Sequence, residues 1–259
     1  MTVHTGLLAG RAPHVRFGSG APLVVLVGLT LDNAVPGPLL ARAYARGFRG
    51  LASHHTVHVV QRPQGFEGVD DYAAVLREEI GPASIVGLST GGVVAQHLAL
   101  DHPDLVERLA LVVSGARLSP RGREICLAWR ALADAGRWRD LRASMAAVAV
   151  DGRIAQGFAH AAGWLSGGAE PVGPRDFRAL LDLVLAHDTT DRLGALAVPA
   201  LVIGGSADPF FPAESLRATA SAIPNAVLEV VEGSGHGLAK QRAALWQDEV
   251  VAFTAGSRA

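Results

Sequence analysis

A serine in the first half of the chain lies in a pattern that can make its hydroxyl a nucleophile. Ser89 is the central residue of a Gly-x-Ser-x-Gly sequence at residues 87–91. The apolar run Ser84–Leu88 predicts a strand before it, and the spacing of apolar residues in Gly91–Asp101 predicts a helix after it. A sharp strand-to-helix turn projects the hydroxyl above the sheet edge, and the glycines let neighbouring backbone pass where a Cβ would clash. The pattern therefore predicts nucleophilic catalysis by Ser89.

A serine hydroxyl becomes reactive when a base takes its proton and a carboxylate orients that base. After a serine on such a turn, the carboxylate and then the histidine follow along the chain. Of the ten histidines only His236 follows residue 196, and its neighbours Gly235 and Gly237 indicate an exposed loop that can swing the imidazole over the sheet edge. Asp208 comes a few residues after the predicted strand Ala200–Ile203, leaving room for one helix and one strand before the histidine. We predict Asp208 as the acid and His236 as the base.

Two backbone N–H groups are expected to stabilise the negative charge that develops on the substrate oxygen. One belongs to Thr90, the residue after the nucleophile. The other comes from the loop after the first strong strand, where Leu29 is the best candidate and Thr30 the second. Removing one such donor typically costs about 2.7–4 kcal/mol of transition-state stabilisation. These positions therefore form the predicted oxyanion hole.

Short apolar runs alternate with helical patterns along the chain, which favours a mostly parallel, doubly wound α/β sheet with helices on both faces. The predicted strands are Leu23–Val27, Val57–Val60, Ser84–Leu88, Leu109–Val113, Ala200–Ile203 and Val227–Val231. The predicted helices are Asp70–Ile80, Gly91–Asp101, Glu214–Ile223 and a last one over about Ala239–Ala252.

Residues 116–196 interrupt this alternation because they contain helical patterns and no convincing strand. We predict a core made of residues 1–115 and 197–259, with residues 116–196 forming a helical cap between two late strands. Some aromatic side chains could line a substrate pocket, although packing of the cap onto the core is the other role open to them. The pocket candidates are Thr30, Trp129, Trp138, Trp164 and Phe210.

Composition excludes several functional classes. The chain has 259 residues, of which 49% are hydrophobic and 18% charged, so it can bury a large core. Its net charge of −1 gives no overall field that would attract nucleic acid or acidic lipid. Cys126 is the only cysteine, which fits a reducing cytoplasm, and residues 1–11 lack the pattern of a signal peptide. We expect no nucleic-acid partner, no membrane partner, no metal and no organic cofactor.

These motifs together resemble those of α/β-hydrolases with a helical cap, in the branch of esterases, enol-lactonases and haloperoxidase-like enzymes. The resemblance runs from Leu23 to the last helix and implies the same nucleophile, acid, base and oxyanion donors: Ser89, Asp208, His236, Leu29 and Thr90. Two segments depart from the family pattern. Val27-Gly28 stands where many relatives have His-Gly, and residues 61–65 replace the family's Asp-x-Arg-Gly. Both departures concern the first oxyanion loop.

The leading hypothesis is a serine hydrolase that cleaves a carboxylic ester, lactone or thioester through an acyl-enzyme on Ser89. A cofactor-free perhydrolase or haloperoxidase, a carbon–carbon hydrolase or a lyase would keep the same serine. A ligand-binding receptor that has kept the fold is the non-enzymatic alternative. The expected partner is a small-molecule acyl substrate, and the sequence leaves the oligomeric state open.

Overall fold

Strands from both ends of the chain form one sheet in the computed structural model, which describes residues 1–256. The strands are β1 (His4–Leu8), β2 (Ala12–Gly18), β3 (Ala21–Leu26), β4 (His55–Val60), β5 (Ala83–Leu88), β6 (Val106–Val112), β7 (Ala200–Gly205) and β8 (Val227–Val231). Their order across the sheet is β1-β2-β4-β3-β5-β6-β7-β8. The pairs β1–β2 and β2–β4 are antiparallel, and all the others are parallel.

All six strands expected from the sequence are present, and their ends differ from the expected ones by a few residues. The antiparallel strands β1 and β2 were not predicted. β1 lies at the edge of the sheet with several exposed positions, so it carries no apolar run that would signal a strand. β2 contains Pro13 and His14, which interrupt its apolar pattern.

Helices cover both faces of the sheet. They are α1 (Pro38–Gly47), α2 (Arg49–Ala52), α3 (Val69–Glu79), α4 (Thr90–Asp101), α5 (Pro120–Asp134), α6 (Trp138–Val148), α7 (Arg153–Leu165), α8 (Pro174–Ala186), α9 (Ala213–Ala222), α10 (Leu238–Gln241) and α11 (Ala243–Thr254). Within β3, Val24 joins the apolar cluster formed with α3 and α4, whereas Val25 joins the cluster formed with α1, α2 and α11. Successive strand residues point to opposite faces, so burial on both faces explains the continuous apolar runs.

The predicted last helix is wrong in one respect, because it is divided in two. Arg242 leaves helical geometry, with φ −119° and ψ 33°, and separates α10 from α11. Across this break the indole N–H of the buried Trp246 donates to the carbonyl of Ala239 at 3.0 Å.

Helices α5–α8 occupy the chain between β6 and β7, where the sequence predicts a cap. Arg117 pairs with Asp188 in an isolated bridge where this segment leaves and re-enters the sheet domain. The division into a core and a cap of residues 116–196 stays a prediction, and residues 257–259 of the predicted core lie outside the described residues. No helix within residues 1–256 is both long and apolar enough to cross a membrane.

A buried histidine joins the end of α8 to the sheet domain. His187 Nε2 lies 3.0 Å from the carbonyl oxygen of Gly115, and His187 Nδ1 lies 3.2 Å from Nε2 of His97. A carbonyl can only accept, so Nε2 of His187 carries the proton and His97 donates to Nδ1. Burial, and to a smaller extent His97, lowers the pKa of His187 to about 4.

Acid should therefore destabilise the folded protein through His187. A fully solvated histidine has a pKa of about 6.5, whereas burial lowers the pKa of His187 to about 4. Between these values the unfolded chain binds a proton that the folded chain does not, so stability falls by about 1.4 kcal/mol per pH unit as the pH is lowered. His187→Gln keeps a donor to Gly115 and removes this titration, so its slope should be shallower by about that amount. Denaturant unfolding at pH 7, 6 and 5 measures both slopes, and equal slopes would contradict the assignment.

Candidate active site

The turn that carries Ser89 has the strained geometry that its sequence predicts. Ser89 lies between β5 and α4 with φ 53° and ψ −117°, a conformation that costs a non-glycine residue about 1–3 kcal/mol. Its N–H donates to the carbonyl of Val112 at 2.9 Å, and its carbonyl accepts from the N–H of Gly92 at 2.8 Å. These bonds to β6 and α4 hold the turn in place.

Close backbone approach explains both glycines of the Gly-x-Ser-x-Gly pattern. A Cβ on Gly87 would lie 2.4 Å from Cα of Gly92. A Cβ on Gly91 would lie 2.1 Å from the carbonyl oxygen of Leu26, at the end of β3. The serine is therefore presented where two strand ends and a helix start crowd together.

The residues predicted as base and acid lie in one hydrogen-bonded line with the serine. His236 Nε2 is 2.9 Å from Ser89 Oγ, and His236 Nδ1 is 2.7 Å from Oδ2 of Asp208. Because the carboxylate accepts, Nδ1 carries the imidazole proton and Nε2 is free to accept one from the serine hydroxyl. This arrangement can deprotonate the serine as it attacks a substrate.

Asp208 is buried, and local backbone groups satisfy its second oxygen. Its side chain has no exposed surface. Oδ1 accepts from the N–H groups of Phe210 at 2.8 Å and Phe211 at 3.3 Å. The Phe210 ring also lies 4.6 Å from the His236 ring, measured between centroids. The loop after β7 thus fixes the carboxylate and supports one side of the imidazole.

The oxyanion candidates separate in the structure. Leu29 and Thr90 line the same cavity as Ser89, whereas Thr30 lies outside it and faces an outer groove. Within residues 1–256 the backbone N–H groups of Leu29 and Thr90 donate no hydrogen bond to another protein atom. A Cβ on Gly28 would lie 3.3 Å from Ser89 Cβ, so the Leu29 loop passes next to Ser89. The two free N–H groups suit the stabilisation of an oxyanion.

An arginine that sequence reasoning left without a role shapes this loop. Arg62 follows β4 in the segment that departs from the family pattern, and it is only 2% exposed. Its Nη1 donates to the carbonyl of Thr30 at 2.8 Å, and its Nη2 donates to the carbonyl of Leu31 at 3.2 Å. One guanidinium therefore holds the two residues that follow Leu29. An arginine directly after a predicted strand was the only available signal.

A small apolar cavity of about 160 Å³ opens onto Ser89. Trp129 and Phe210 line it, as the sequence predicts. Trp138 and Trp164 do not: Trp138 packs against Phe177 with ring centroids 6.4 Å apart, and Trp164 is 43% exposed beneath the guanidinium of Arg139. Sequence reasoning missed the aliphatic and sulfur-containing lining, because such residues at helical spacing are indistinguishable from core. These are Val93, Leu118, Cys126, Val148 and Val184.

Burial governs the one thiol in this lining. It raises the pKa of Cys126 to about 12, so the side chain is a neutral apolar wall at physiological pH. No group of three or more histidine, cysteine, aspartate or glutamate side chains within residues 1–256 could hold a metal ion. The hydroxyl and imidazole side chains in the lining are those of Ser89, Thr90 and His236.

Comparison with known proteins establishes the relationship. The model of the Alpha/beta hydrolase family matches residues 11–248. The chain belongs to this family. It is 31% identical over 243 residues to the pimeloyl-[acyl-carrier protein] methyl ester esterase of Xanthomonas campestris pv. campestris. The alignment covers 85% of this chain and 89% of that protein.

Solved structures show the same fold. An enol-lactonase from Burkholderia xenovorans superposes with a TM-score of 0.76 at 20% identity, covering 97% of this chain and all of that one. A thermophilic esterase from Thermogutta terrifontis gives a TM-score of 0.72 at 23% identity, covering 96% of this chain and 94% of that one. The predicted α/β-hydrolase fold and family resemblance are confirmed. The protein is an α/β-hydrolase enzyme, in a family that includes ester hydrolases.

Removing the Arg62 guanidinium should weaken catalysis by this α/β-hydrolase without removing any group that touches substrate. In Arg62→Met the carbonyls of Thr30 and Leu31 lose their donors, so the Leu29 N–H shifts. We expect kcat for an activated ester to fall about tenfold, less than for complete loss of an oxyanion donor. The kcat of Arg62→Lys, in which the side chain cannot bond both carbonyls in the same planar geometry, should lie between those of Arg62→Met and the original protein.

The exposed Arg77, paired with Asp104, gives the control Arg77→Met. Unchanged kcat in a folded Arg62→Met would rule out this role.

Proposed function

We propose that the protein is a serine hydrolase that cleaves a carboxylic ester, lactone or thioester through an acyl-enzyme on Ser89. The observation that carries this proposal is the continuous line from Ser89 Oγ through the imidazole of His236 to Asp208, with separations of 2.9 and 2.7 Å. Relatives named as an ester esterase and an enol-lactonase support acyl chemistry in the family.

Acylation begins when Ser89 Oγ attacks the substrate carbonyl carbon and His236 Nε2 takes the hydroxyl proton. The carbonyl oxygen becomes an oxyanion between the N–H groups of Leu29 and Thr90. The ionised Asp208 stabilises the imidazolium that forms. His236 then gives its proton to the leaving oxygen or sulfur as the bond from that atom to the carbonyl carbon breaks. The product is an ester between Ser89 and the acyl group.

Deacylation repeats these steps with water. His236 takes a proton from water as its oxygen attacks the acyl carbon, and the same two N–H groups hold the second oxyanion. His236 returns the proton to Ser89 Oγ when the acyl bond breaks. The free acid leaves and the hydroxyl is restored, so the cycle needs only the side chains and backbone groups of this chain.

Substitution of the nucleophile tests the proposal. Ser89→Ala should lower turnover of p-nitrophenyl butyrate at least about 10³-fold and abolish labelling by a fluorophosphonate, because no other hydroxyl lies against His236 Nε2 within residues 1–256. Ser53→Ala is the matched control, since within residues 1–256 Ser53 Oγ bonds only the carbonyl of Gly50, on the protein surface. Full activity of purified Ser89→Ala would end the proposal.

The cavity predicts the size of the acyl group. About 160 Å³ bounded by apolar side chains suits a short acyl chain. Met145 lines both this cavity and the outer groove beside residues 30–37, so it separates the two spaces.

Shortening Met145 should join the spaces. In Met145→Ala we expect kcat/KM for p-nitrophenyl octanoate, relative to butyrate, to rise about tenfold. Leu127→Ala is the control, because Leu127 is 49% exposed on α5 and does not line the cavity. An unchanged octanoate-to-butyrate ratio would show that Met145 does not limit chain length.

A further inference from the structure

A carboxylate from the predicted cap grips the loop that carries His236. Asp151 lies in the connection between α6 and α7. Its Oδ2 accepts from the N–H of Gly235 at 2.9 Å, and its Oδ1 accepts from the N–H of Gly237 at 3.0 Å. One side chain thus binds the backbone on both sides of the histidine.

The glycines beside His236 make room for this carboxylate. A Cβ on Gly235 would lie 2.7 Å from Asp151 Oδ1, and a Cβ on Gly237 would lie 2.8 Å from the Asp151 nitrogen. Neither glycine has a positive φ, so space and not backbone conformation requires them. The sequence interpretation of these glycines as the sign of an exposed loop is therefore wrong, because both are buried and their close packing against Asp151 explains them.

A third hydrogen bond holds Asp151 itself in place. The Asp151 N–H donates to Oε1 of Gln241, in α10, at 2.9 Å. The connection between α6 and α7 and the segment from residue 235 to residue 241 are thus joined by three hydrogen bonds. Two of them have a carboxylate as the acceptor, which generally makes a hydrogen bond stronger than one between neutral groups.

We propose that Asp151 is a positioning residue that couples the seating of the predicted cap to the placement of the catalytic base. Its carboxylate fixes residues 235–237, so the imidazole keeps Nε2 within hydrogen-bonding distance of Ser89 Oγ. When the α6–α7 connection moves away, the loop loses both acceptors and the base loses its alignment with the nucleophile. The inference rests on the proposed function of Ser89 and His236.

The test compares substitutions at Asp151 with a matched change elsewhere in the predicted cap. In Asp151→Ala, kcat for p-nitrophenyl butyrate and the rate of fluorophosphonate labelling should fall about 10- to 100-fold together, with little change in KM, because small misplacement of a catalytic group has effects of this size. Asp151→Asn keeps one acceptor and should lie between this variant and the original protein. Asp140→Ala is the control, since Asp140 pairs with Arg137 and does not contact the His236 loop.

A readout independent of activity separates this inference from the proposed function. Hydrogen–deuterium exchange of a peptide covering residues 233–238 should accelerate in Asp151→Ala and stay unchanged in Asp140→Ala. If Ser89 proves not to be the nucleophile, the proposed function fails and the positioning role is overturned with it. The exchange measurement still shows whether Asp151 holds residues 235–237 in place.

Two results would overturn the inference while leaving the proposed function intact. One is unchanged kcat and labelling in folded Asp151→Ala. The other is faster exchange at residues 233–238 with no loss of kcat, which would make the contact structural only. Should Asp151→Ala fail to fold, Asp151→Asn and Gln241→Ala decide the matter by the same two measurements, each with a smaller expected fall in kcat.

Discussion

The hydrogen bond between Ser89 Oγ and His236 Nε2 joins two residues 147 positions apart, and it forms only because the sheet brings their loops to one edge. Ser89 follows β5, Asp208 follows β7 and His236 follows β8, and these strands run parallel, so their carboxyl ends share that edge. The parallel order of the strands places the three loops at the same edge, and tight packing sets the distances between them. The crowded turn at Ser89, for example, leaves no space for a Cβ at either motif glycine. The chemistry proposed for the site thus depends on the sheet's register more than on any single contact.

Burial gives that hydrogen bond its direction. Asp208 has no exposed surface, and a buried carboxylate without partners would be strongly destabilised. Two backbone N–H groups and the imidazole N–H compensate it, which leaves one orientation for the histidine ring. Phe210 contributes twice, because its N–H donates to Asp208 while its ring packs against the His236 ring. A few residues of one loop therefore determine which imidazole nitrogen faces the serine.

Sequence patterns revealed those parts of the molecule whose residue types are dictated locally. Apart from Ser84, β5 and β7 contain only apolar residues and glycine because both of their faces are covered. Ser89, Asp208 and His236 follow strand ends and have small or stiff neighbours. β1 escaped because an exposed edge strand needs no apolar run. The roles of Arg62 and Asp151 were not predicted for another reason. Each side chain binds backbone groups that are distant in the sequence: Arg62 binds the carbonyl of a residue 32 positions away, and Asp151 binds the N–H of a residue 84 positions away. No spacing rule encodes such pairs.

Arg62 and Asp151 play similar structural roles, because each holds one loop of the candidate active site by its backbone. Arg62 donates to carbonyls in the loop after Leu29, and Asp151 accepts hydrogen bonds from N–H groups in the loop around His236. Each of the two loops beside the candidate active site is therefore held by one side chain. The donors and acceptors are complementary to the backbone groups that remain free in each loop. The hydrogen-bonding groups of each loop belong to its backbone, so they are present whatever side chains the loop carries. Such a loop can therefore vary in sequence and keep its shape. The predicted oxyanion loop, which departs from the family pattern, accordingly passes directly beside Ser89 with its carbonyls bound by Arg62.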